Sequence, residues 1–288
     1  SVTPATTPQS QADYVRRMAQ TAEDAGFDSV WISDRTVYPK DLAARYPDEF
    51  GLGKADPSAQ NVLEAVTTLS YIAGATTRVK VGMSVLVLPF RHPVLNAKML
   101  TTLDVLSGGR LIAGFGTGWM PEEFQAAGAA HIYKKRNKHV VETIEVMQGI
   151  WGNELFEYDG ELASFSKCGF GAKPVQKPRP PMFFSGMIKP ETSAKRIAKY
   201  GLDGWIGIMD TPEAITIWRT AIKEELEKIE SPLTVDKLEI SSMMPFEITK
   251  EETDQTSNGK LTPTMVGTAE QITDNLRKYK EAGLTMPM

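Results

Sequence analysis

Apolar positions along this chain alternate between two periods. Short β-branched or aromatic runs read as buried strands, and between them apolar residues return every three or four positions, as on an amphipathic helix. Tyr14, Met18, Ala22 and Ala25 share one face of a helix predicted over 11–25, which Gly26 stops. Residues 28–33 predict a strand; Val62, Ala65, Val66, Leu69 and Ile72 mark a second helix; 78–88 is the clearest strand of the chain. Pro93 opens a helix carrying Leu95, Met99, Leu103 and Leu106, a strand follows at Leu111-Ile112-Ala113, and 137–151 is helical through Val140, Ile144, Met147 and Trp151. Further on, 182–184, 203–208 and 237–244 predict strands, 190–200, 211–229 and 267–282 predict helices, and 284–286 is a strand stub. No period is visible over 36–57 or over the Gly-, Pro- and aromatic-rich 152–181, both read as long loops, and 251–260 reads as a polar loop.

Repeated strand–helix units require a parallel sheet covered by helices. Seven strands, the last cut short, follow one pattern without a linker, and eight would close a (β/α)8 TIM-like barrel of ordinary size. The missing strand belongs before the first helix, where 1–10 is too polar and Pro-broken to supply it. The expectation is α/β: a single barrel domain over 1–288, its first strand absent from this sequence, with an open sheet as the alternative. A long insertion follows the fourth strand, at about 152–181, and loops of that length in compact domains serve as lids or binding elements.

Charge and composition narrow the function. A net charge of −4 and the lack of a basic run with interleaved aromatics argue against a nucleic-acid partner. No apolar run approaches membrane-spanning length, the first residues do not read as a secretory leader, and the single Cys168 excludes an internal disulfide. A cytoplasmic enzyme is the expectation. No metal site is predicted: His131 and His139 lie among Lys134, Lys135, Arg136 and Lys138 and read as a solvated basic face, without carboxylate or Cys company at ligand spacing. His92 before Pro93 reads as scaffolding at a helix start, and Asp104 is expected to pair with Arg110.

The stretch from Ser107 to Trp119 carries candidate chemistry. Gly108 and Gly109 are turn residues, and Gly114, Gly116 and Gly118 then alternate, leaving the strand end bare on one face. Plain turn glycines account for this; so does close approach of a ligand or another backbone. A dinucleotide fingerprint does not, because Trp119 stands where its last glycine belongs. Pro121-Glu122-Glu123 opens a helix with acids where the dipole favours them. Farther on, Ser185-Gly186 follows a strand and precedes the helix at Pro190, with Thr192 and Ser193 nearby. Such a helix start suits a phosphate or ordinary capping equally.

An ordered set of segments resembles the bacterial luciferase-like monooxygenases. It runs through Gly26-Phe27-Asp28-Ser29-Val30-Trp31-Ile32-Ser33-Asp34, Val85-Leu86-Val87-Leu88-Pro89-Phe90-Arg91-His92-Pro93 and Leu103-Asp104-Val105-Leu106-Ser107-Gly108-Gly109-Arg110-Leu111. Gly114-Phe115-Gly116-Thr117-Gly118-Trp119-Met120-Pro121-Glu122-Glu123-Phe124, Lys173-Pro174-Val175-Gln176-Lys177-Pro178 and Asp203-Gly204-Trp205 continue it. The resemblance implies a barrel that binds FMN or the deazaflavin coenzyme F420 at the C-terminal ends of its strands. The ring would lie against Asp34, Ser84, Val85 and Gly116, with Thr117 and Gly118 beside it and a non-proline cis peptide at Ser84–Val85. The phosphate would rest on Ser185, Gly186 and Thr192, and Trp119 would join the cavity lining.

The implied activity is oxidation or reduction of a small organic substrate, foremost as a monooxygenase. A separate flavin reductase and a homodimer accompany that reading. A deazaflavin-dependent hydride transfer without oxygen, or a flavin-binding barrel without turnover, are the alternatives. One departure stands out: many relatives read Ser-Asp-His where this chain has Ser33-Asp34-Arg35. Arginine stays protonated and does not serve as a base, so Arg35 is expected to fix a carboxylate, phosphate or sulfonate, or else to pair with Asp34, Asp41 or Asp48 at the surface.

Overall fold

The computed structural model describes residues 8–46, 62–186, 189–253 and 265–288. In chain order the elements are α1 (Pro8–Asp24), β1 (Ser29–Ile32), α2 (Leu42–Arg45), α3 (Ala65–Ala75), β2 (Lys80–Met83), β3 (Leu86–Val87), α4 (Pro93–Leu106), β4 (Leu111–Gly116), α5 (Pro121–Ala126), α6 (Arg136–Gly152), β5 (Leu155–Asp159) and β6 (Ser164–Gly169). They continue as β7 (Met182–Ser185), α7 (Pro190–Tyr200), β8 (Gly204–Ile208), α8 (Pro212–Lys228), β9 (Glu239–Met243), β10 (Phe246–Ile248), β11 (Met265–Gly267), α9 (Ala269–Glu281) and β12 (Met286–Pro287). Two compact units form, one from Ser1–Pro39 with Asp56–Met182, the other from Lys40–Ala55 with Phe183–Met288. The residues before α1 and half of the 36–57 stretch, 47–57, lie outside the described residues; within 36–46, α2 forms a single helical turn.

In the first unit β1, β2 and β4 form a parallel ladder, with Trp31 opposite Gly82 and Gly82 opposite Ile112. Gly82 is needed there, because a Cβ would stand 2.3 Å from the Trp31 ring. The expected single strand over 78–88 is two strands: it breaks at Ser84–Val85, and β3 resumes beside β4 with Leu86 opposite Phe115. The Ser84–Val85 peptide is cis, as the resemblance implied.

Two helices present a different face from the one their apolar spacing predicts. In α1 the packed positions are Val15, Ala19 and Glu23, and Met18 is 52% exposed. Glu23 decides this: its carboxylate accepts the N–H groups of Thr77, Arg78 and Val79, bonds that hold its pKa down to about 2. In α4 the packed face carries Asn96, Ala97, Leu100, Thr101, Leu103 and Asp104, while Leu95 and Leu106 face solvent. Each of its polar members makes at least one hydrogen bond, while Asn96 Oδ1 has no partner among the described residues. Asn96 donates to the Leu88 carbonyl at 3.0 Å, and Thr101 accepts from the Trp151 indole at 2.9 Å.

The expected Asp104–Arg110 pair does not form. Asp104 accepts from the backbone of Val175 and Gln176 and from the Gln176 amide. Arg110 donates instead to the carbonyls of Ala73, Thr76 and Val79. Both charges satisfy orphan backbone groups, which is what a buried polar residue most needs to do.

The stretch 152–181, read as a loop, contains the antiparallel hairpin β5–β6. Phe156, Tyr158 and Phe165 cluster on it, and the Phe156 ring lies where a Cβ on Gly149 of α6 would sit. Buried Glu142 accepts from the turn amides of Glu161, Leu162 and Ala163.

The second unit repeats the parallel scheme through β7, β8, β9 and β12, with Phe184 opposite Trp205, Trp205 opposite Ile240 and Met286 opposite Ser241. Trp205 is fully buried and stacks on Trp218 of α8 at 4.6 Å. The short parallel pair β10–β11 has strands of three residues each, too short to show a period in the sequence. The polar loop predicted over 251–260 is described only as far as Thr253.

Candidate cofactor and substrate site

All described strands of the first unit's ladder run the same way, so its C-terminal edge gathers the residues that follow β1, β2 and β4. Asp34, Ser84, Val85, Gly116, Thr117, Gly118 and Trp119 all lie there. The exit of β1 grips the cis peptide from both sides. Ser33 Oγ donates to the Ser84 carbonyl at 2.8 Å, and Asp34 N donates to the Val85 carbonyl at 3.3 Å. Val85 lies across β4 in space that a side chain at 116 would take: a Cβ on Gly116 would meet Val85 Cγ2 at 2.4 Å. Gly118 is left-handed at φ 69°, and a Cβ there would meet Val87 at 2.7 Å and the Phe124 ring at 2.9 Å.

Two guanidiniums close this edge, each held by a buried carboxylate. Arg91 grips Asp34 with both terminal nitrogens, at 2.7 and 3.1 Å, and extends one of them to Glu64 at 3.0 Å. Val87 N donates to the same Asp34 oxygen. Burial alone would disfavour the Arg91 charge, but the bonds to Asp34 outweigh it and hold the pKa above the ordinary arginine value. Arg35 gives Nη1 to Glu123 Oε2 at 2.5 Å, and Thr36 N donates to Glu123 Oε1 at 2.9 Å. The Arg35 guanidinium lies 5.5 Å from the centres of the Tyr38 and Trp119 rings. Burial pushes the pKa of Glu123 up, against the pull of Arg35, and raises that of Tyr38 as well.

Arg35 is therefore neither a free anion receptor nor the partner of Asp34, which Arg91 holds, or of Asp41, which pairs with Arg45. Asp48 lies outside the described residues. One terminal nitrogen of Arg35 is held by Glu123, 88 residues away in sequence. Glu123 reads in the sequence as a solvated acid of a helix's first turn. Here α5 is only six residues long, and its first turn points into the exit of β1.

The histidines divide. His92 caps α4, accepting from Val94 N at 3.3 Å, as a scaffolding residue should. His139 is buried instead of joining a solvated basic face, and its ring stands 3.3 Å from Thr143 Oγ1. Burial, together with His92 and His131, lowers its pKa to about 4 against the pull of Glu142. Among the described residues no group of His, Cys, Asp and Glu has the arrangement to hold a metal ion.

In the second unit Ser185 ends β7, and Gly186 sits directly under α7. A Cβ on Gly186 would stand 1.8 Å from the hydroxyl oxygen of buried Ser193. The start of α7 has no side-chain cap, Thr192 lies exposed in its first turn, and Glu191 is the acid there. Asp210 follows β8, and its carboxyl accepts from Ser242 Oγ at 2.8 Å. Burial pushes the Asp210 pKa up to about 6, with the Ser242 bond opposing. Gly207 makes room for it, since a Cβ there would lie 2.0 Å from Asp210 Oδ2.

Known proteins bear on this arrangement. An uncharacterised protein of Mycobacterium tuberculosis is 31% identical over 219 residues, which is 73% of this chain and 76% of that one. The FMNH(2)-dependent dimethylsulfone monooxygenase of Pseudomonas putida is 31% identical over 175 residues, 60% of this chain and 43% of that enzyme. Among solved structures, an F420-dependent secondary alcohol dehydrogenase in complex with an F420-acetone adduct aligns with a TM-score of 0.74 at 19% identity, over 96% of this chain and 88% of that one. That likeness is one of fold. The model of the luciferase-like monooxygenases matches residues 2–257, and the chain belongs to that family.

Proposed function

We propose that this protein is an oxidoreductase that binds FMN or coenzyme F420 at the C-terminal edge of its strands and turns over a small organic substrate, as a monooxygenase when the cofactor is FMN. The observation that carries this is Val85 lying across bare Gly116 beside buried Asp34, which leaves a flat, side-chain-poor surface fit for a tricyclic ring. In the second unit, taken by itself, Ser185 and Gly186 after β7 and Thr192 at the uncapped start of α7 are of the kind a phosphate takes. When bound, the reduced cofactor supplies the electrons, to oxygen in the one case and as hydride in the other. The chain's own part is positional: Val85 and Gly116 back the ring, Asp34 is fixed by Arg91 at its edge, and Arg35 with Tyr38 and Trp119 lines the substrate side. The complete reading is a (β/α)8 barrel with 152–181 as its insertion, working in the cytoplasm as a homodimer supplied by a separate flavin reductase.

Titrating the purified protein with FMN and with F420 tests this, followed by absorbance and fluorescence. One of the two is expected to bind at micromolar concentration, and Gly116→Val is expected to weaken it at least about tenfold, or about 1.4 kcal/mol. Binding of neither cofactor would overturn the proposal. Tight binding without oxygen consumption or hydride transfer on any substrate would leave a non-catalytic flavin-binding barrel.

A further inference from the structure

The substrate side of the first unit is already charge-compensated. Arg35 and Arg91 bring two positive charges; Asp34, Glu64 and Glu123 bring three negative ones, all within hydrogen-bond distance of those guanidiniums. Both oxygens of Glu123 are engaged, one by Arg35 and one by Thr36 N. The Glu123 side chain is 2% exposed and that of Arg35 18%, so the pair is screened little by solvent.

An anion seeking both terminal nitrogens of Arg35 would compete with Glu123 for Nη1 and bring a fourth negative charge to the cluster. Like charges that close, in a partly desolvated place, are a strong means of rejecting a ligand. An uncharged molecule meets no such barrier. It needs only an acceptor oxygen for a remaining guanidinium N–H and an apolar body to lie along Tyr38 and Trp119.

We infer that this site selects uncharged substrates bearing a carbonyl-like or sulfone-like acceptor and rejects their carboxylate and sulfonate analogues, with Glu123 as the specificity-determining residue. The inference rests on the reading of this strand edge as the substrate side of a flavin or deazaflavin site. Neutralising Glu123 loosens its hold on Arg35 Nη1 and removes the selection.

The test titrates cofactor-loaded protein with acetophenone, benzoate and benzenesulfonate, following the absorbance of the bound cofactor. Wild type is expected to bind the ketone at least about tenfold more tightly than either anion. Glu123→Gln is expected to tighten benzoate by about tenfold or more while leaving acetophenone within about threefold. Equal or tighter binding of benzoate in wild type, no response to the ketone, or an unchanged benzoate constant in a folded Glu123→Gln protein would each overturn the inference. If that variant does not fold, the wild-type ranking decides. If neither cofactor binds, the cofactor reading has failed by itself. The same three probes, titrated without cofactor through tryptophan fluorescence, then decide between selection and no selection by the same ranking.

Discussion

Asp34 and Asp210 occupy matching places, each following a parallel strand, one in each compact unit; Asp34 is buried and Asp210 half-buried. Their partners differ. Asp34 has the bidentate fork of Arg91 and a backbone N–H; Asp210 has the hydroxyl of Ser242. A guanidinium compensates a buried charge, so the first unit keeps an ion pair out of water. A hydroxyl does not, so burial prevails in the second unit and the Asp210 carboxyl holds its proton up to about pH 6. The same residue type at the same kind of position thus sits in an ion pair in one unit and against a hydroxyl, holding its proton up to about pH 6, in the other.

The largest break in this comparison comes from removing the fork. Arg91→Met strands Asp34 as an unpaired buried carboxylate and should cost about 3–5 kcal/mol in urea unfolding at neutral pH. Adding Asp34→Asn should recover more than half of that loss. A loss below about 1 kcal/mol in the single variant would show that solvent reaches Asp34 after all.

Asp210 should show the opposite dependence. Its folded pKa of about 6 lies above the ordinary 3.8, so the folded form holds the proton more tightly than the unfolded chain. The stability it contributes is present below the unfolded value and is lost as pH rises through about 6, up to about 3 kcal/mol in all. Asp210→Asn should abolish that slope, gaining on wild type at pH 7.5 and not at pH 4. Parallel pH profiles for the two proteins would remove Asp210 as a titrating group.

His139 sharpens the contrast within the first unit, as a buried titratable ring with no carboxylate bonded to it among the described residues. Its folded pKa of about 4 lies below the ordinary 6.5, so its contribution is present above the unfolded value and lost as pH falls toward 4. Between pH 7 and pH 5 the loss should reach about 2 kcal/mol. Thermal melts across that range in wild type and His139→Gln would show it as a slope that the variant lacks.

The strand–helix rhythm was legible because the core strands are continuous apolar runs, and β8 and its neighbours fall where those runs stand. The residues of the β1, β2 and β4 exits were legible too, through the ordered family segments around Asp34 and Gly116. What escaped was a set of polar residues outside those segments' predicted site that pack inward. Hydrophobic periodicity places Glu23, Asn96, Asp104, Glu123 and His139 on the wet side by residue type, yet each is buried. The faces of α1 and α4 were misread for that reason. Nor can spacing reveal a bond such as Arg35–Glu123, whose ends meet only after β2, β3 and β4 have been laid down between them. A substitute signal existed for Glu123 alone: it adjoins Phe124, one of the largest fully buried side chains, in a helix of only six residues.

The way Glu142 clasps the tip of the β5–β6 hairpin has a consequence for how this region can drift over generations. The carboxylate recognises the main chain of Glu161, Leu162 and Ala163, not their side chains. Most side chains at the tip are therefore free to vary, while its length and its amide hydrogens are not. Gly160 is the exception, since a Cβ there would stand 2.5 Å from the Glu142 carboxylate. A proline at 162 or a one-residue deletion should be selected against as firmly as a core change, and the amides of this outwardly loop-like tip should exchange with solvent deuterium more slowly than their position at the surface implies.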